Sequence, residues 1–298
     1  MNELEFLADR FEDHRDHLSA VAYRMLGSLT EAEDAVQEAW LRLAGTDADA
    51  IDNLGGWLTT VVSRVCLDVL RSRRSHPEES LEAQQLPDPV ITRDSEANPE
   101  QQALLADSVG MALLVVLESL SPAQRLAFVL HDMFALPFDQ IAPIVDRTPQ
   151  TAKKLASQAR RRVQGEVPVP DTDRARQRRV VDAFLAAARD GDFHALVSIL
   201  DPEVVLRADA GAALPGGLQV LRGAATVAGQ AETFQRMALL CTTHPVLVNG
   251  LSGLVNTAAD GAVVSIMSFT VAGDRIAAID LLADSDRLAR LDLAAILD

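Results

Sequence analysis

Cysteine is scarce in this 298-residue chain, which has only Cys66 and Cys241. The two lie far apart in sequence without the spacing of metal ligands, and the six histidines form no HxxxH or HExxH pattern. The sequence therefore gives no support for a metal site, and we expect no cofactor. We interpret both cysteines as small buried hydrophobic residues, with a redox switch as the alternative.

Long apolar runs are also absent, because no window approaches the length of an uninterrupted membrane span. The N-terminal stretch is acidic and has no apolar signal core. These observations argue against secretion and against a membrane protein, so we expect a cytoplasmic protein. Hydrophobic residues at 48% and charged residues at 23% are typical of folded globular domains.

Positive charge is in deficit, since 27 lysines and arginines face 43 aspartates and glutamates for a net charge of −16. Acidic residues crowd the N-terminal part, whereas basic residues cluster between Lys153 and Arg179. A protein that binds DNA alone relies on neutralising phosphates and is usually basic. If this chain binds DNA, it needs a partner that supplies the missing affinity, which indicates a subunit of a larger assembly.

Residues 137–164 are the most informative stretch, because they predict a short helix, a tight turn and a second helix. Thr148 suits the N-cap of the second helix, and Pro149 suits its first position, where a missing N–H costs nothing. The predicted inner faces are Ile141, Ile144 and Val145, then Leu155, Ala159 and Val163. The pattern predicts a helix-turn-helix whose second helix enters a DNA major groove. A solvated amphipathic helix pair is the alternative.

Composition divides the chain into a helical part at 1–75, a linker at 76–98, a second helical part at 99–166 and a last part at 171–298. The linker is rich in proline and acidic residues and has no sustained period. The last part starts with helices and continues with five strand-like runs and a closing helix, at Val204–Ala208, Thr242–Val248, Ser252–Thr257, Ala262–Val271, Arg275–Leu282 and Leu288–Leu297. Helices followed by an antiparallel sheet predict an α+β cone or open barrel.

Three runs of sequence follow one another in a distinctive order: Tyr23–Leu43, which ends in AEDAVQEAWLRL; Gly56–Arg71, which begins GWLTTVV; and Leu120–Arg125, LSPAQR, followed by the helix-turn-helix. They resemble the polymerase-binding, −10-binding and −35-binding segments of bacterial sigma-70 factors of the extracytoplasmic-function (ECF) family. The resemblance implies a multidomain protein with two all-α helical domains, sigma region 2 and sigma region 4.

The resemblance also implies roles for particular residues. Polymerase binding falls to an exposed acidic and polar patch, Asp34, Gln37 and Glu38. Contacts to the −10 element fall to Asn53, Arg64, Arg71, Arg73 and Arg74. Contacts to the −35 element fall to Arg147, Gln150, Thr151, Lys153, Lys154, Gln158 and Arg160. For the acidic patch, a merely solvated helix face is the alternative.

Many family members have asparagine where this chain has Arg64, which alters the expected base contact at the −10 element. Trp57 could stack on DNA, but an aromatic residue at the start of a helix usually belongs to the core, and we expect it there.

The part at 171–298 resembles the SnoaL-like, NTF2-like α+β cone, and its attachment to two sigma domains resembles the sigma-J-like subgroup. Three motifs of that subgroup occur in altered form: Leu86–Pro89 lacks a preceding tryptophan, Asp209–Ala213 lacks a lysine, and Asn249–Gly253 lacks the proline. The resemblance implies regulatory contacts at Asp209, Asn249 and Gly250.

We therefore expect a sigma factor that binds core RNA polymerase, through its β and β′ subunits, and promoter DNA, with the last domain regulating activity in cis. An enzyme is the rival class, for which Asp209, Arg207, Asp280 and His244 are available as acids and bases. No dyad with defined spacing is evident, and a fold alone does not confer catalysis. A third option is a sensor, whose cone pocket of leucine, valine and alanine would bind a small apolar ligand. The net charge disfavours a plain repressor.

Overall fold

The computed structural model describes residues 3–47, 51–75, 85–93, 110–213, 217–291, 293 and 296. They form two compact units. The helical unit comprises the described residues within 3–75 and 114–166, and the sheet unit comprises those within 85–93, 110–113 and 167–296.

Three long helices open the helical unit: α1 Glu3–Leu26, α2 Leu29–Ala44 and α3 Leu54–Ser75. Gly27 ends α1 with a φ of 74°, and its N–H donates to the carbonyl of Tyr23 at 2.8 Å. Ser28 then caps α2, because its Oγ accepts the N–H of Glu31 at 3.5 Å. The apolar faces of the three helices meet in one buried core.

The second half of this unit carries the shorter helices: α4 Met111–Glu118, α5 Pro122–Phe128, a π-helical turn Val129–Met133, α6 Phe138–Ile141 and α7 Pro149–Glu166. Ser121 and Gln124 form a reciprocal capping box at the start of α5. The inner face of α7 is Ala152, Ala156 and Ala159, which lie buried against α5. Leu155 and Val163, which we predicted to face inward, flank that face and are only half-buried.

The sheet unit is built on seven strands: β1 Ile91–Thr92, β2 Leu200–Asp209, β3 Leu218–Arg222, β4 Thr242–Val248, β5 Leu251–Thr257, β6 Val263–Ala272 and β7 Arg275–Leu282. Their spatial order is β1-β4-β5-β6-β7-β2-β3, and β2 and β7 are the parallel pair. All five predicted runs are strands. The sequence did not indicate β3, nor β1, which lies within the expected linker.

Five helices accompany the sheet: α8 Arg174–Asp190, α9 Phe193–Ile199, α10 Ala224–Ala228, α11 Ala231–Leu240 and α12 Ser285–Leu288. The predicted closing helix overlaps only the end of α12, and much of its remaining length lies outside the described residues. The predicted fold class, helical domains followed by an α+β domain, is confirmed. Among the described helices, none is long and apolar enough to cross a membrane.

The two faces of the sheet differ in what covers them. Helices α8 to α11 pack on one face, where Phe184 contacts both Phe234 and Phe269 with ring centroids 5.4 Å apart. Side chains alternate along a strand, so the neighbours of Phe269 on β6 point to the other face. Leu86 of the linker lies there beside Ser268, and we call it the linker face.

Candidate nucleic-acid interface

The turn before α7 has the predicted geometry. Oγ1 of Thr148 accepts the N–H of Thr151 at 3.3 Å, and Pro149 takes the first helical position. Asp146 adopts a φ of 55°, and the N–H of Arg147 donates to the carbonyl of Ala142 at 3.0 Å. These local bonds fix the direction in which α7 leaves α6.

The first two turns of α7 present a polar surface. Gln150, Lys153 and Lys154 are exposed and Thr151 is half-buried. Lys153 and Lys154 are also the only two lysines in the chain, all other basic residues being arginines. Gln158 lies further along, where its Oε1 accepts a hydrogen bond from Nε2 of Gln124 at 3.2 Å. The structure therefore brings four of the seven predicted −35 contacts together. Gln158 is instead hydrogen-bonded to α5.

The two arginines predicted to contact phosphate are engaged within the unit. Nε of Arg160 donates to Oδ1 of Asp132 at 2.7 Å, and Nη1 of Arg147 donates to the carbonyl of Asp146 at 2.8 Å. Both side chains remain accessible to solvent. To bind phosphate, Arg160 has to exchange one carboxylate for another anion.

The arginines of α3 divide into two kinds. Arg71 and Arg74 are exposed, and Arg71 lies 3.6 Å from Asp68. Arg64 is exposed as well, and its Nη2 donates to the carbonyl of Pro143 at 3.3 Å. Arg73 instead pairs with Glu31 and donates to the carbonyl of Leu26, so it ties α3 to the start of α2.

Two residues near the start of α3 have local roles. Asn53 caps the helix, because its Oδ1 accepts the N–H of Gly56 at 3.0 Å, yet its side chain stays exposed. Trp57 is half-buried.

The two cysteines differ in burial. Burial raises the pKa of the Cys66 thiol to about 12, while Cys241 is half-buried. No group of metal-binding side chains occurs in the part of the chain that the structure describes.

The polar face of α2 is exposed as predicted at Asp34 and Gln37. Glu38 is half-buried, and its Oε1 accepts a hydrogen bond from Nε of Arg42 at 2.9 Å. Leu41 lies on the same face and is 59% exposed, although an apolar residue in a helix is usually turned inward. The surface is thus acidic with an exposed apolar residue at its C-terminal end, a feature that charge patterning did not reveal.

One buried arginine joins the two halves of the helical unit. Nη1 of Arg125, in α5, donates to the carbonyl of Met25, in α1, at 2.8 Å. Its side chain is buried, which lowers its pKa to about 10. Nearby, the guanidinium of Arg24 lies 4.7 Å from the ring centre of Phe134. The sequence analysis did not single out any of these residues.

In the sheet unit, Asp209 holds the linker. Its Oδ2 accepts the backbone N–H of Leu86 at 2.8 Å and Nη1 of Arg287 at 2.7 Å. Nη2 of Arg287 donates to the carbonyl of Leu86 and to Oδ1 of Asp88, both at 2.6 Å. Arg287 therefore bonds to both the linker and the sheet. Its role was not predictable from local sequence patterns, since its partners are 78 to 201 positions away along the chain.

Asn249 holds the linker at a second point. The N–H of Val90 donates to its Oδ1 at 3.1 Å, and its own N–H donates to the carbonyl of Val90 at 2.7 Å. From there the linker continues as β1, paired with β4. Asn249 and Gly250, with φ angles of 52° and 76°, form the two-residue turn between β4 and β5. The contact role predicted for Gly250 remains a prediction, because the structure shows only its place in this turn.

Of the four candidate acids and bases, only Arg207 and Asp280 pair directly. Nη1 of Arg207 donates to Oδ1 of Asp280 at 2.6 Å, and burial raises the pKa of Asp280 while Arg207 opposes that shift. Asp209 is taken up by the linker, as described. His244 lies on β4, which β5 and β6 separate from β7, and its Nε2 is 3.0 Å from Oγ1 of Thr257.

A helical unit with an exposed helix-turn-helix, followed by an α+β domain, defines the class of a multidomain DNA-recognition protein. Comparison with known families makes this specific. Residues 10–76 match the family model of sigma-70 region 2, and residues 110–163 match that of sigma-70 region 4. These segments contain α2, α3 and the helix-turn-helix.

Curated relatives and a solved structure agree with the family models. The chain is 41% identical over 215 residues to the ECF RNA polymerase sigma factor SigJ of Mycobacterium tuberculosis, a match that covers 72% of this chain and 68% of the relative. It is 37% identical over 213 residues to the probable ECF sigma factor SigI of the same species, covering 70% and 72%. The crystal structure of M. tuberculosis SigJ superposes with a TM-score of 0.75 at 34% identity, covering 95% of this chain and 98% of that one. The chain belongs to the ECF family of RNA polymerase sigma factors.

Proposed function

We propose that this sigma factor binds core RNA polymerase through α2, engages the −10 and −35 elements through α3 and α7, and is regulated in cis by the sheet unit. The observation that carries the proposal is the exposed polar surface on the first two turns of α7, within a segment that matches sigma-70 region 4. It acts where core polymerase acts, in the cytoplasm.

Polymerase binding is assigned to the α2 face. Asp34, Gln37 and Glu38 share a helix face with the exposed Leu41, so a basic partner surface with an apolar contact point complements them. Interfaces of this kind combine a buried apolar anchor with a polar rim. We propose the β′ subunit as that partner, by analogy with the family, and the β subunit as a further contact of the sigma factor.

DNA contacts are assigned to two helices. On α7, Gln150, Thr151, Lys153 and Lys154 enter the major groove of the −35 element, since N-terminal residues of a recognition helix reach base edges. Arg147, Gln158 and Arg160 flank them and contact base edges or phosphates. On α3, Arg64, Arg71 and Arg74 hold the separated −10 strand, and Asn53 lies at the N-terminus beside it. Arg73 acts indirectly, since it positions α3 against α2.

The charge of the chain explains why polymerase is needed. A net charge of −16 repels duplex DNA, so the few basic residues of α3 and α7 give weak binding alone. Binding to polymerase places both helices at the promoter and raises the effective concentration of the second contact once the first has formed.

The packing within the helical unit suggests a resting state. The −10 and −35 elements are about 25 base pairs apart, or about 85 Å of duplex. Here α1 and α5 are joined by Arg125, and Arg64 of α3 bonds to Pro143, next to α6. We infer that these bonds break when the two halves of the unit engage separate promoter elements.

Regulation in cis is assigned to the hold on the linker. Asp209 and Asn249 bind Leu86 and Val90 in the segment between the two sigma regions, so the sheet unit restrains the tether that joins them. This supports a role in binding and not in catalysis, because Oδ2 of Asp209 is occupied by Leu86 of the linker and by Arg287.

The test is run-off transcription with purified core polymerase and two variants at Asn249. Asn249→Gly keeps the turn, because glycine accepts a φ of 52°, but removes the acceptor for Val90. Asn249→Asp keeps both the turn and the side-chain oxygen that accepts the N–H of Val90. We expect Asn249→Gly to change promoter output by several-fold at unchanged polymerase affinity and Asn249→Asp to match the parent. Equal output from all three would refute cis regulation through this contact.

DNA contact is tested separately by chemical footprinting. Because Lys153 and Lys154 are the only lysines, amine-specific acetylation of this chain reports on α7 and the terminal amine alone. We expect promoter DNA to protect both lysines in the polymerase complex, as measured by mass spectrometry. Unchanged acetylation on a −35-containing promoter would contradict the assignment of α7.

A further inference from the structure

The linker face of the sheet carries buried oxygens that lack partners. Among the described residues of the sheet unit, Oγ of Ser268, Oγ1 of Thr270 and Oδ2 of Asp280 are buried without a hydrogen bond. Buried polar groups are nearly always paired in native proteins, and an unpaired one costs free energy. Three such atoms lie on neighbouring positions, and each weakens the fold unless a partner forms a hydrogen bond with it.

The register of the strands places the three together. Ser268 on β6 is directly opposite Asp280 on β7, and Thr270 lies two residues further along the same face. Arg207 on β2 is opposite Asp280 on its other side. Arg207 bonds only to Oδ1 of that carboxylate, which fixes its orientation and leaves Oδ2 for another donor.

Apolar side chains enclose this polar cluster. Ser268 and Asp280 line a cavity of about 10 Å³ whose other walls are Leu86, Pro89, Met111, Val248, Ile266 and Leu282. That volume is about the size of a single water molecule. Leu86 is one of these walls and is 2% exposed, so its side chain separates the cavity from solvent. Anything larger than water has to displace the linker.

The charges on this face select a neutral ligand. Asp280 is already balanced by Arg207, and Arg287 is shared between Asp209 and Asp88. An added anion would meet a surplus of carboxylates, and an added cation would lie beside Arg207 at short range. Oδ2 of Asp280 requires a donor, and the hydroxyls of Ser268 and Thr270 can donate or accept.

We propose that the linker face is a binding site for a small neutral alcohol or diol, whose hydroxyl pairs with Asp280 and Ser268 and whose hydrocarbon part replaces Leu86. Ligand and linker compete for one space, so binding of either weakens binding of the other by the same factor. Only the consequence for transcription rests on the proposed regulation in cis; the site itself is tested by binding.

The experiment compares cyclohexanol with cyclohexanone on the full-length protein, by NMR shifts of the β6 and β7 amides. The ketone has the same size but no donor for Asp280. Leu86→Ala vacates space in the site, and Leu86→Met keeps it filled. We expect Leu86→Ala to bind cyclohexanol about ten-fold more tightly than Leu86→Met does, and cyclohexanone about ten-fold more weakly than the alcohol. Equal binding of alcohol and ketone, or no binding of cyclohexanol to Leu86→Ala, would overturn the proposal.

A second set of variants guards against misfolding of Leu86→Ala. Ser268→Ala and Thr270→Val remove an unpaired hydroxyl at nearly constant shape. In the parent background we expect each to raise the thermal midpoint by about 2 °C. In the Leu86→Ala background, Ser268→Ala should weaken cyclohexanol binding. A lower midpoint in the parent would mean that the hydroxyls serve the fold, and the site would be refuted.

Discussion

The arginines of the two units differ in how they are used. In the helical unit, the arginines that the sequence singled out lie mostly at the surface, where Arg64, Arg71 and Arg74 are exposed. In the sheet unit, Arg207 and Arg287 are nearly buried and bind carboxylates that are buried as well or partly so. Surface arginines are available to a partner, whereas buried ones are committed to the fold.

Burial also changes what removal of an arginine costs. An exposed pair contributes little, because water and salt screen it. Truncating one partner of a buried pair is expensive, because the other charge is left without compensation. We propose that the exposed arginines of the helical unit serve binding, whereas Arg207 and Arg287 stabilise the sheet unit, and the predictions below test that division.

The largest effect is expected from Arg287→Ala. It leaves Asp209 buried without its cation and releases Leu86 and Asp88, so the sheet unit should lose about 3–5 kcal/mol of unfolding free energy. Hydrogen exchange of the β7 amides measures this, because both tryptophans lie in the helical unit. Arg162→Ala, which breaks an exposed pair with Glu166, is the control: hydrogen exchange of amides in the helical unit should show a loss of less than about 1 kcal/mol. Equal losses would erase the distinction between the two units.

Charge reversal on α2 comes next. Asp34→Lys combined with Glu38→Lys should weaken binding to core polymerase about a hundred-fold, because like charges at an interface repel. Quantitative co-purification or fluorescence anisotropy measures the affinity. The matched control is Asp9→Lys with Asp13→Lys, which makes the same change of net charge at exposed positions of α1. If both double variants bind alike, net charge and not the α2 face governs association.

A smaller effect is expected on α7. Lys153→Ala with Lys154→Ala should lower −35-dependent initiation about ten-fold while polymerase binding is retained. Arg174→Ala with Arg179→Ala removes the same charge from exposed positions of α8 and should leave initiation unchanged. Run-off assays on promoters with and without a −35 element provide the measurement. A loss that persists without the element would point to a general charge effect.

The smallest effect concerns His17, a half-buried residue of α1 whose Nε2 is 3.2 Å from Oγ1 of Thr59. Burial lowers its pKa below the ordinary value of 6.5, helped by His14 and Arg24. The unfolded chain therefore takes up this proton first, and the stability of the helical unit falls as pH drops through 6.5. An NMR titration of the imidazole checks the direction. A His17 pKa at or above 6.5 would contradict it.

Much of the helical unit could be predicted because its signals are local. Thr148 and Pro149 start α7 through bonds that span three residues, and the helix periodicity is set within a few turns. The ECF family itself followed from motifs within single helices, and the comparisons confirm it. The predicted inner face of α7 is confirmed at Ala159, whereas Leu155 and Val163 are only half-buried, because the neighbouring α5 decides which side is covered.

The roles that the sequence missed depend on distant partners. Leu86 and Asp209 are 123 positions apart, and Asp88 and Arg287 are 199 apart. The linker therefore appeared structureless, although part of it forms β1. The contact of Arg73 with the −10 element stays a prediction, and only the fold shows that Arg73 also pairs with Glu31.

The sequence by itself determined the family, the helix-turn-helix and five of the strands, since capping, periodicity and turn chemistry act between near neighbours. Only the tertiary structure decided which charges are free and which are paired. It also placed Leu86 over Asp280 and Ser268 on the linker face. The reason is physical: burial and ion pairing depend on which side chains meet in space, and residues far apart in sequence supply those partners.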